Sequence, residues 1–171
     1  MRQKEIRIRV TKLKDYLGDV GINVSALAEL SDINVIHLHK CLAGEVDDRD
    51  GSVRTMSNEN MDQLQDGLHQ LALKINSMSI FYNTDLETVK QGGRRYCKDC
   101  VDQIKQQLHP YISVLPFMQH ALGWNRSKVL NVMNCKNGFA YGNISEDDVN
   151  LINKTLGNVA TRLDEFTLIK G

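Results

Sequence analysis

The sequence predicts an all-α fold, and three observations support that prediction. Apolar residues recur three and four positions apart along most of the chain, which is the spacing of one helix face. Patterns typical of strands are sparse, and only two prolines interrupt the 171 residues. A set of apolar residues in the first half is matched by a second set 91 positions further along. Such internal repetition predicts two similar helical units in one chain.

Composition and charge narrow the class of protein. The chain is 42% hydrophobic with a formal net charge of zero, so we expect a packed core, and any nucleic-acid surface must be local. No apolar run is long enough to cross a bilayer, and the N-terminus lacks the apolar core of a signal peptide. The expectation is a cytoplasmic protein whose four cysteines are reduced thiols.

Residues 1–10 alternate charged and apolar side chains, which is the period of a strand. The sequence therefore predicts a short extended arm at the N-terminus. One interpretation is an edge strand or ordered arm with a solvated charged face, and the other is a basic arm that lies on the DNA backbone. In the second case the phosphate contacts would come from Arg2, Lys4, Arg7, Arg9, Lys12 and Lys14.

The first half then predicts a five-helix unit, and its first four helices are placed in order as follows. The first runs from Thr11 to Val20 and ends at Gly21, and the second begins near Val24. Asn34 is a plausible N-cap for a third helix that reaches Leu42 and stops at Gly44. An acidic loop covers residues 45–52. Ser57 is a further N-cap, before a long amphipathic helix that contains Met61, Leu64, Leu68, Leu71 and Ile75; Gly67 within this helix requires a packing reason.

The second half repeats this pattern. The residues Leu13, Leu17, Leu27, Ile33, Leu38 and Cys41 are matched, at an offset of 91 positions, by Ile104, Leu108, Met118, Trp124, Val129 and Val132. In the long helix Met61, Leu64, Leu68 and Leu71 are matched, at an offset of 88, by Val149, Ile152, Leu156 and Val159. The change of offset places a three-residue length difference in a loop, where such differences are tolerated. Because Gln91–Arg95 is typical of a linker, we predict units at 1–90 and 91–171.

Residues 27–44 predict two short helices joined by a tight turn. Ala28 is small, Ile33 closes the turn, and Leu38 and Cys41 repeat at helical spacing. This stretch resembles the lambda-repressor/Cro-like helix-turn-helix family, in which the second helix enters the major groove of DNA. The second copy has Gly123 where that family prefers a turn glycine, but Gln119 where it usually has alanine. The resemblance implies two tandem lambda-repressor-like units and a DNA-binding protein, most commonly a transcriptional regulator.

In each half, the resemblance places the second helix of the helix-turn-helix in the major groove, and we call it the recognition-type helix. The outward residues of the two recognition-type helices differ in chemistry. In the second half they are Asn125, Arg126, Ser127, Lys128, Asn131 and Asn134, followed by Lys136. Arginine can bond guanine bidentately and asparagine can bond adenine, so we expect this helix to be the main contact with double-stranded DNA. The alternative is an ordinary solvated helix face.

The first half offers Asn34, Val35, Ile36, His37, His39 and Lys40 at those positions. Asn34, His37 and Lys40 are candidate DNA contacts. Val35 and Ile36 suit either thymine methyl groups or a protein interface, and the acidic loop beside them favours a protein partner or self-association.

No catalytic motif is present, so we expect no enzyme activity, cofactor or metal. Cys97 and Cys100 form a single CxxC pair, whereas a structural zinc site needs four ligands. The rival hypothesis is a protein-interaction or assembly module on the same helical fold, without DNA binding. An exposed helix at residues 125–134 with one positive face would favour DNA binding, and a helix buried against the first half would count against it.

Overall fold

The fold was taken from a computed structural model, which describes residues 2–44, 49, 56–82, 90–91, 94–95, 98–133 and 144–168. The first half contains α1 (Arg2–Val20), α2 (Val24–Ser31), α3 (Val35–Ala43) and α4 (Asn58–Asn76). The second contains α5 (Lys98–Leu108), α6 (Val114–Pro116) with a π-helical turn (Phe117–Ala121), α7 (Arg126–Met133) and α8 (Glu146–Glu165). Two-residue strands, β1 (Lys90–Gln91) and β2 (Arg94–Arg95), pair antiparallel at the predicted linker. The predicted all-α class is confirmed, and no described helix is long and apolar enough to span a membrane.

The predicted N-terminal extended arm is wrong, because α1 begins at Arg2 and is continuous to Val20. Its buried stripe is Val10, Leu13, Leu17 and Val20, with spacings of three and four that only a helix places on one face. The preceding residues are mostly arginine, lysine, glutamate and glutamine, which are good helix formers. Packing of the stripe therefore extends the helix backwards through a segment whose local alternation suggested a strand.

Helix ends in the described segments follow the residue types that the sequence offers. The Asn34 side chain accepts hydrogen bonds from the N–H groups of Ile36 and His37, at 3.0 and 3.2 Å. Ser57 and Ser145 cap α4 and α8 in the same way, each accepting from the N–H three residues later. Asp32 has a φ of 53°, so an aspartate occupies the left-handed position between α2 and α3.

The buried apolar side chains of both halves form one continuous core. All twelve residues matched at an offset of 91, and all eight matched at 88, are buried. The inward faces predicted from the repeat are therefore confirmed. The boundary between units 1–90 and 91–171 stays a prediction, since α4 of one half packs along α8 of the other within this shared core.

The halves meet first at a two-residue bridge between Ile22 and Ile112. The N–H of Asn23 donates to the Tyr111 carbonyl at 2.8 Å, and the N–H of Ser113 donates to the Gly21 carbonyl at 2.7 Å. Each half thus donates one of these bonds and accepts the other, as in a two-fold interface. The bridged residues are 90 positions apart rather than 91, and the π-helical turn that follows α6 accommodates the extra residue before Trp124.

The halves meet again through two side-chain amides that lie 88 positions apart, on α4 and α8. Gln65 donates to the Phe166 carbonyl at 2.6 Å and accepts from the Leu168 N–H at 2.9 Å. Asn153 donates to the Ile80 carbonyl at 2.7 Å and accepts from the Ile80 N–H at 2.9 Å. Ile80 and Leu168 are also 88 positions apart, and both are buried. Each half therefore binds the segment that follows the last helix of the other.

We expect Asn153→Ala and Gln65→Ala each to destabilise the protein by about 2 kcal/mol, because each leaves backbone groups of a buried segment unpartnered. The two amides bind different segments, so the double variant should lose roughly the sum. Urea denaturation followed by circular dichroism measures this. Gln107→Ala, at an exposed position of α5, is the control and should change stability by less than about 0.5 kcal/mol. Unchanged unfolding of both amide variants would contradict the reciprocal arrangement.

Candidate nucleic-acid interface

The α7 helix presents a polar face at its N-terminal end. The Asn125 side chain accepts a hydrogen bond from the Lys128 N–H at 2.8 Å, which fixes the start of the helix. Val129 and Val132 are buried, so the opposite side carries the exposed residues. These are Asn125, Arg126, Ser127, Leu130 and Asn131.

Lys128 has partners within the chain. Its ammonium lies 2.8 Å from Asp148 Oδ1 and 4.5 Å from the ring centroid of Trp124. Burial alone would raise the pKa of Asp148, but hydrogen bonds from Lys128 and Ser145 outweigh it and hold that pKa below its ordinary value. Lys128 therefore ties α7 to the first turn of α8, and a DNA contact by the same side chain stays a prediction.

In α3 the corresponding face is less polar. Ile36 is 63% exposed and His39 is exposed, whereas Lys40 is half-buried. Val35 packs partly against the core, so it is not a fully exposed partner of Ile36. Val35 is partly covered because it is the first residue of α3 and comes soon after Ile33, which is buried in the turn after α2. The aliphatic surface of α3 is therefore smaller than the sequence predicts.

His37 points toward α4. The Asn60 side-chain amide lies 3.0 Å from His37 Nε2, and the Cys41 thiol lies 3.6 Å from the same nitrogen. Like Lys128 in the second half, His37 thus links a short helix to the first turn of the following long helix. His37 as a DNA contact also stays a prediction.

The two links occupy equivalent positions of the repeat. His37 and Lys128 are 91 positions apart, and their partners Asn60 and Asp148 are 88 apart. The caps Asn34 and Asn125 are again 91 apart. The α3 and α7 helices are therefore held at the cap and at the third residue in the same way.

Residue types alone do not predict that Asn60 is the partner of His37 or that Asp148 is the partner of Lys128. The long helices supply them from 23 and 20 positions further along the chain. The available signal was the shared offset: each is the third residue after a capping serine, at matched places of the repeat. Such positions suit short polar side chains that face a neighbouring helix.

Of the remaining residues that the sequence singled out, those that the structure describes lie outside α3 and α7. Lys12 and Lys14 are exposed on α1. The structure does not describe Asn134, Lys136, Cys97, Cys135, most of the acidic loop, or the side chains of Arg2, Lys4, Arg7 and Arg9.

Cys100 is buried, and its thiol donates to the Phe81 carbonyl at 3.4 Å. Among the residues that the structure describes, no group of three or more His, Cys, Asp or Glu side chains could hold a metal ion.

Comparison of the chain with protein-family models, with curated proteins and with solved structures finds no match.

Proposed function

We propose that this protein is a sequence-specific DNA-binding protein, a transcriptional regulator, whose α7 helix enters the major groove. The observation that carries the proposal is the exposed polar face of α7, with Arg126, Ser127 and Asn131 on one side of a capped helix. These side chains suit the edges of guanine and adenine and the phosphates between them.

The fixed position of α7 supports this proposal. The cap at Asn125 and the Lys128–Asp148 pair hold the helix on α8, so little ordering is needed when the helix binds DNA. Asp148 is neutralised by the same pair, which lowers the repulsion that an acidic residue would exert on nearby phosphates. A helix held in this way can present Arg126 to DNA even though the whole chain has no net positive charge.

The paired helices support a tandem helix-turn-helix arrangement. The Ile33 N–H donates to the Ala28 carbonyl at 3.0 Å, and the Trp124 N–H donates to the Met118 carbonyl at 3.0 Å. The left-handed turn residue is Asp32 in the first half and Gly123 in the second. A short helix, a left-handed residue, a buried apolar residue and a capped second helix follow one another in both halves, as in the helix-turn-helix motif.

A salt titration against a fluorescent duplex of random sequence tests the proposal. Binding of the intact protein should weaken steeply as salt rises, because phosphate contacts release counterions. Arg126→Ala should weaken binding by about tenfold, which corresponds to ~1.4 kcal/mol. Lys40→Ala should have a smaller effect, because Lys40 is half-buried.

Lys105→Ala, at an exposed position of α5, removes one positive charge elsewhere and serves as the matched control. Equal losses for Arg126→Ala and Lys105→Ala would mean that only total charge matters, which contradicts a role for α7. Absence of binding at low salt would contradict the proposed function altogether.

That last outcome would favour the second candidate, a protein-interaction module. The observation in its support is Ile36, a large apolar side chain that is 63% exposed on α3. Exposed apolar side chains of this kind occur at protein interfaces. His39 is exposed beside it on the same helix and supplies a polar rim.

A further inference from the structure

Three contacts between the halves are reciprocal, as across an approximate two-fold axis. The Ile22–Ile112 bridge exchanges equivalent hydrogen bonds, and Gln65 and Asn153 bind equivalent segments of the opposite half. Contacts in which position i of one unit meets position j of the other, and j meets i, define a two-fold interface. The caps and links of α3 and α7 lie at equivalent positions of the repeat, so we treat these two helices as equivalent in the two halves.

The packing of α4 against α8 agrees with this relation. Ala72 and Ala160 are 88 positions apart, and both line the same small cleft between these helices. His69 on α4 pairs with Asp164 on α8 at 2.6 Å, so the residue order rises along one helix and falls along the other. The helices are antiparallel, which agrees with a two-fold axis perpendicular to them. The surface by which two copies would otherwise pair is thus buried within one chain.

The exposed positions of α3 and α7 are equivalent in place but different in chemistry. Arg126 and Ser127 of α7 correspond to Val35 and Ile36 of α3, at an offset of 91. At the same offset Leu130 and Asn131 correspond to His39 and Lys40. An arginine and an asparagine favour guanine and adenine, whereas an exposed isoleucine favours the methyl group of thymine. Two helices with these side chains would bind different base sequences.

We infer that a single copy of this chain binds a duplex that carries two unlike half-sites, the short base sequences that each recognition-type helix contacts. The α7 helix binds one half-site and α3 binds the other, about one helical turn (~34 Å) away along the same face of the duplex. This inference rests on the proposed DNA-binding function. It identifies the DNA as non-palindromic, because the two-fold axis relates backbones but not side chains.

Selection from a pool of duplexes with roughly three helical turns (~30 base pairs) of randomised sequence tests the inference with the full chain. We expect enrichment of two different sequence blocks whose centres lie about 10 base pairs apart. Sedimentation of the complex should give one chain per duplex. Repeating the selection with Arg126→Ala/Asn131→Ala should erase one block, and repeating it with Ile36→Ala/His39→Ala should erase the other.

The alternative outcomes are distinct. An enriched inverted repeat with two chains per duplex would overturn the inference, since it would mean that copies of the chain pair on DNA. A single block that is lost only in the α7 variant would also overturn it, while leaving the proposed function in place. Failure of the intact chain to bind the pool at low salt, with its circular dichroism spectrum folded, would contradict the proposed function itself.

Discussion

Replacement of Gly67 by alanine is expected to destabilise the protein by about 3 kcal/mol, because the added methyl group overpacks the contact between α2 and α4. A Cβ at position 67 would overlap Ser31 Oγ, and it would lie 2.8 Å from Ser31 Cβ and 2.9 Å from Ser31 Cα. Rotation of the serine hydroxyl removes only the first of these contacts, so α2 would have to move away from α4. Urea denaturation gives the change in unfolding free energy.

Gly157→Ala is the matched control for this prediction. Gly157 lies within α8, and a Cβ there would meet nothing within 4 Å. Alanine should therefore stabilise that helix by roughly 0.5–1 kcal/mol, because glycine is the poorer helix former. The two glycine-to-alanine changes thus have opposite expected signs. Equal effects would show that α2 does not approach Gly67 closely.

A second variant identifies Ser31 as the group that α4 meets. Ser31→Gly in the Gly67→Ala background removes the hydroxyl and the Cβ, leaving only the 2.9 Å contact to Ser31 Cα. We expect this double variant to recover part of the lost stability, which gives a favourable coupling in a double-mutant cycle. The Ser31 hydroxyl has no hydrogen-bond partner among the described residues, so its removal breaks no bond that the structure records.

Gly67 also shows which features of the packing can be predicted from the sequence and which cannot. Its position inside an amphipathic helix predicted that packing would explain it, and the close contact with α2 confirms this. The identity of the partner could not be predicted, since helical spacing gives the inward face of α4 but not the helix that crosses it. The same limit applies to the N-terminus, where the alternation of residues 1–10 fitted a strand, and packing from Val10 onward, together with good helix formers before it, favours the helix.

For the candidate interface, the caps were predictable and the links were not. Asn34 is an N-cap that residue type and local order identify, because the hydrogen bonds run to residues two and three positions away. The partners of His37 and Lys128 lie on other helices, and which long side chains turn inward depends on how those helices pack. The exposed set on α7 therefore differs from the predicted one: Lys128 is half-buried, and Leu130 is exposed.

Replacement of Gly21 by alanine is expected to destabilise the protein by about 3 kcal/mol through the contact between the halves. Gly21 has a φ of 77°, and a Cβ there would lie 2.9 Å from the Ser113 carbonyl oxygen and 3.1 Å from the Phe117 nitrogen. The left-handed backbone costs alanine about 1 kcal/mol, and overpacking against backbone atoms that cannot rotate away adds roughly 2 more. Thermal and urea unfolding measure the total.

Gly123→Ala separates these two contributions. Gly123 has a φ of 71°, but a Cβ there would meet nothing within 4 Å, so only the backbone cost of about 1 kcal/mol should remain. The difference between the two variants then measures the contact across the halves. Hydrogen exchange at the Asn23 and Ser113 amides should become faster in Gly21→Ala alone, because those amides form the bridge. The same bridge joins the two halves, so Gly21→Ala should also weaken binding to two joined half-sites more than binding to either half-site alone. Equal losses of stability in Gly21→Ala and Gly123→Ala would contradict this prediction, because they would place the junction of the halves elsewhere.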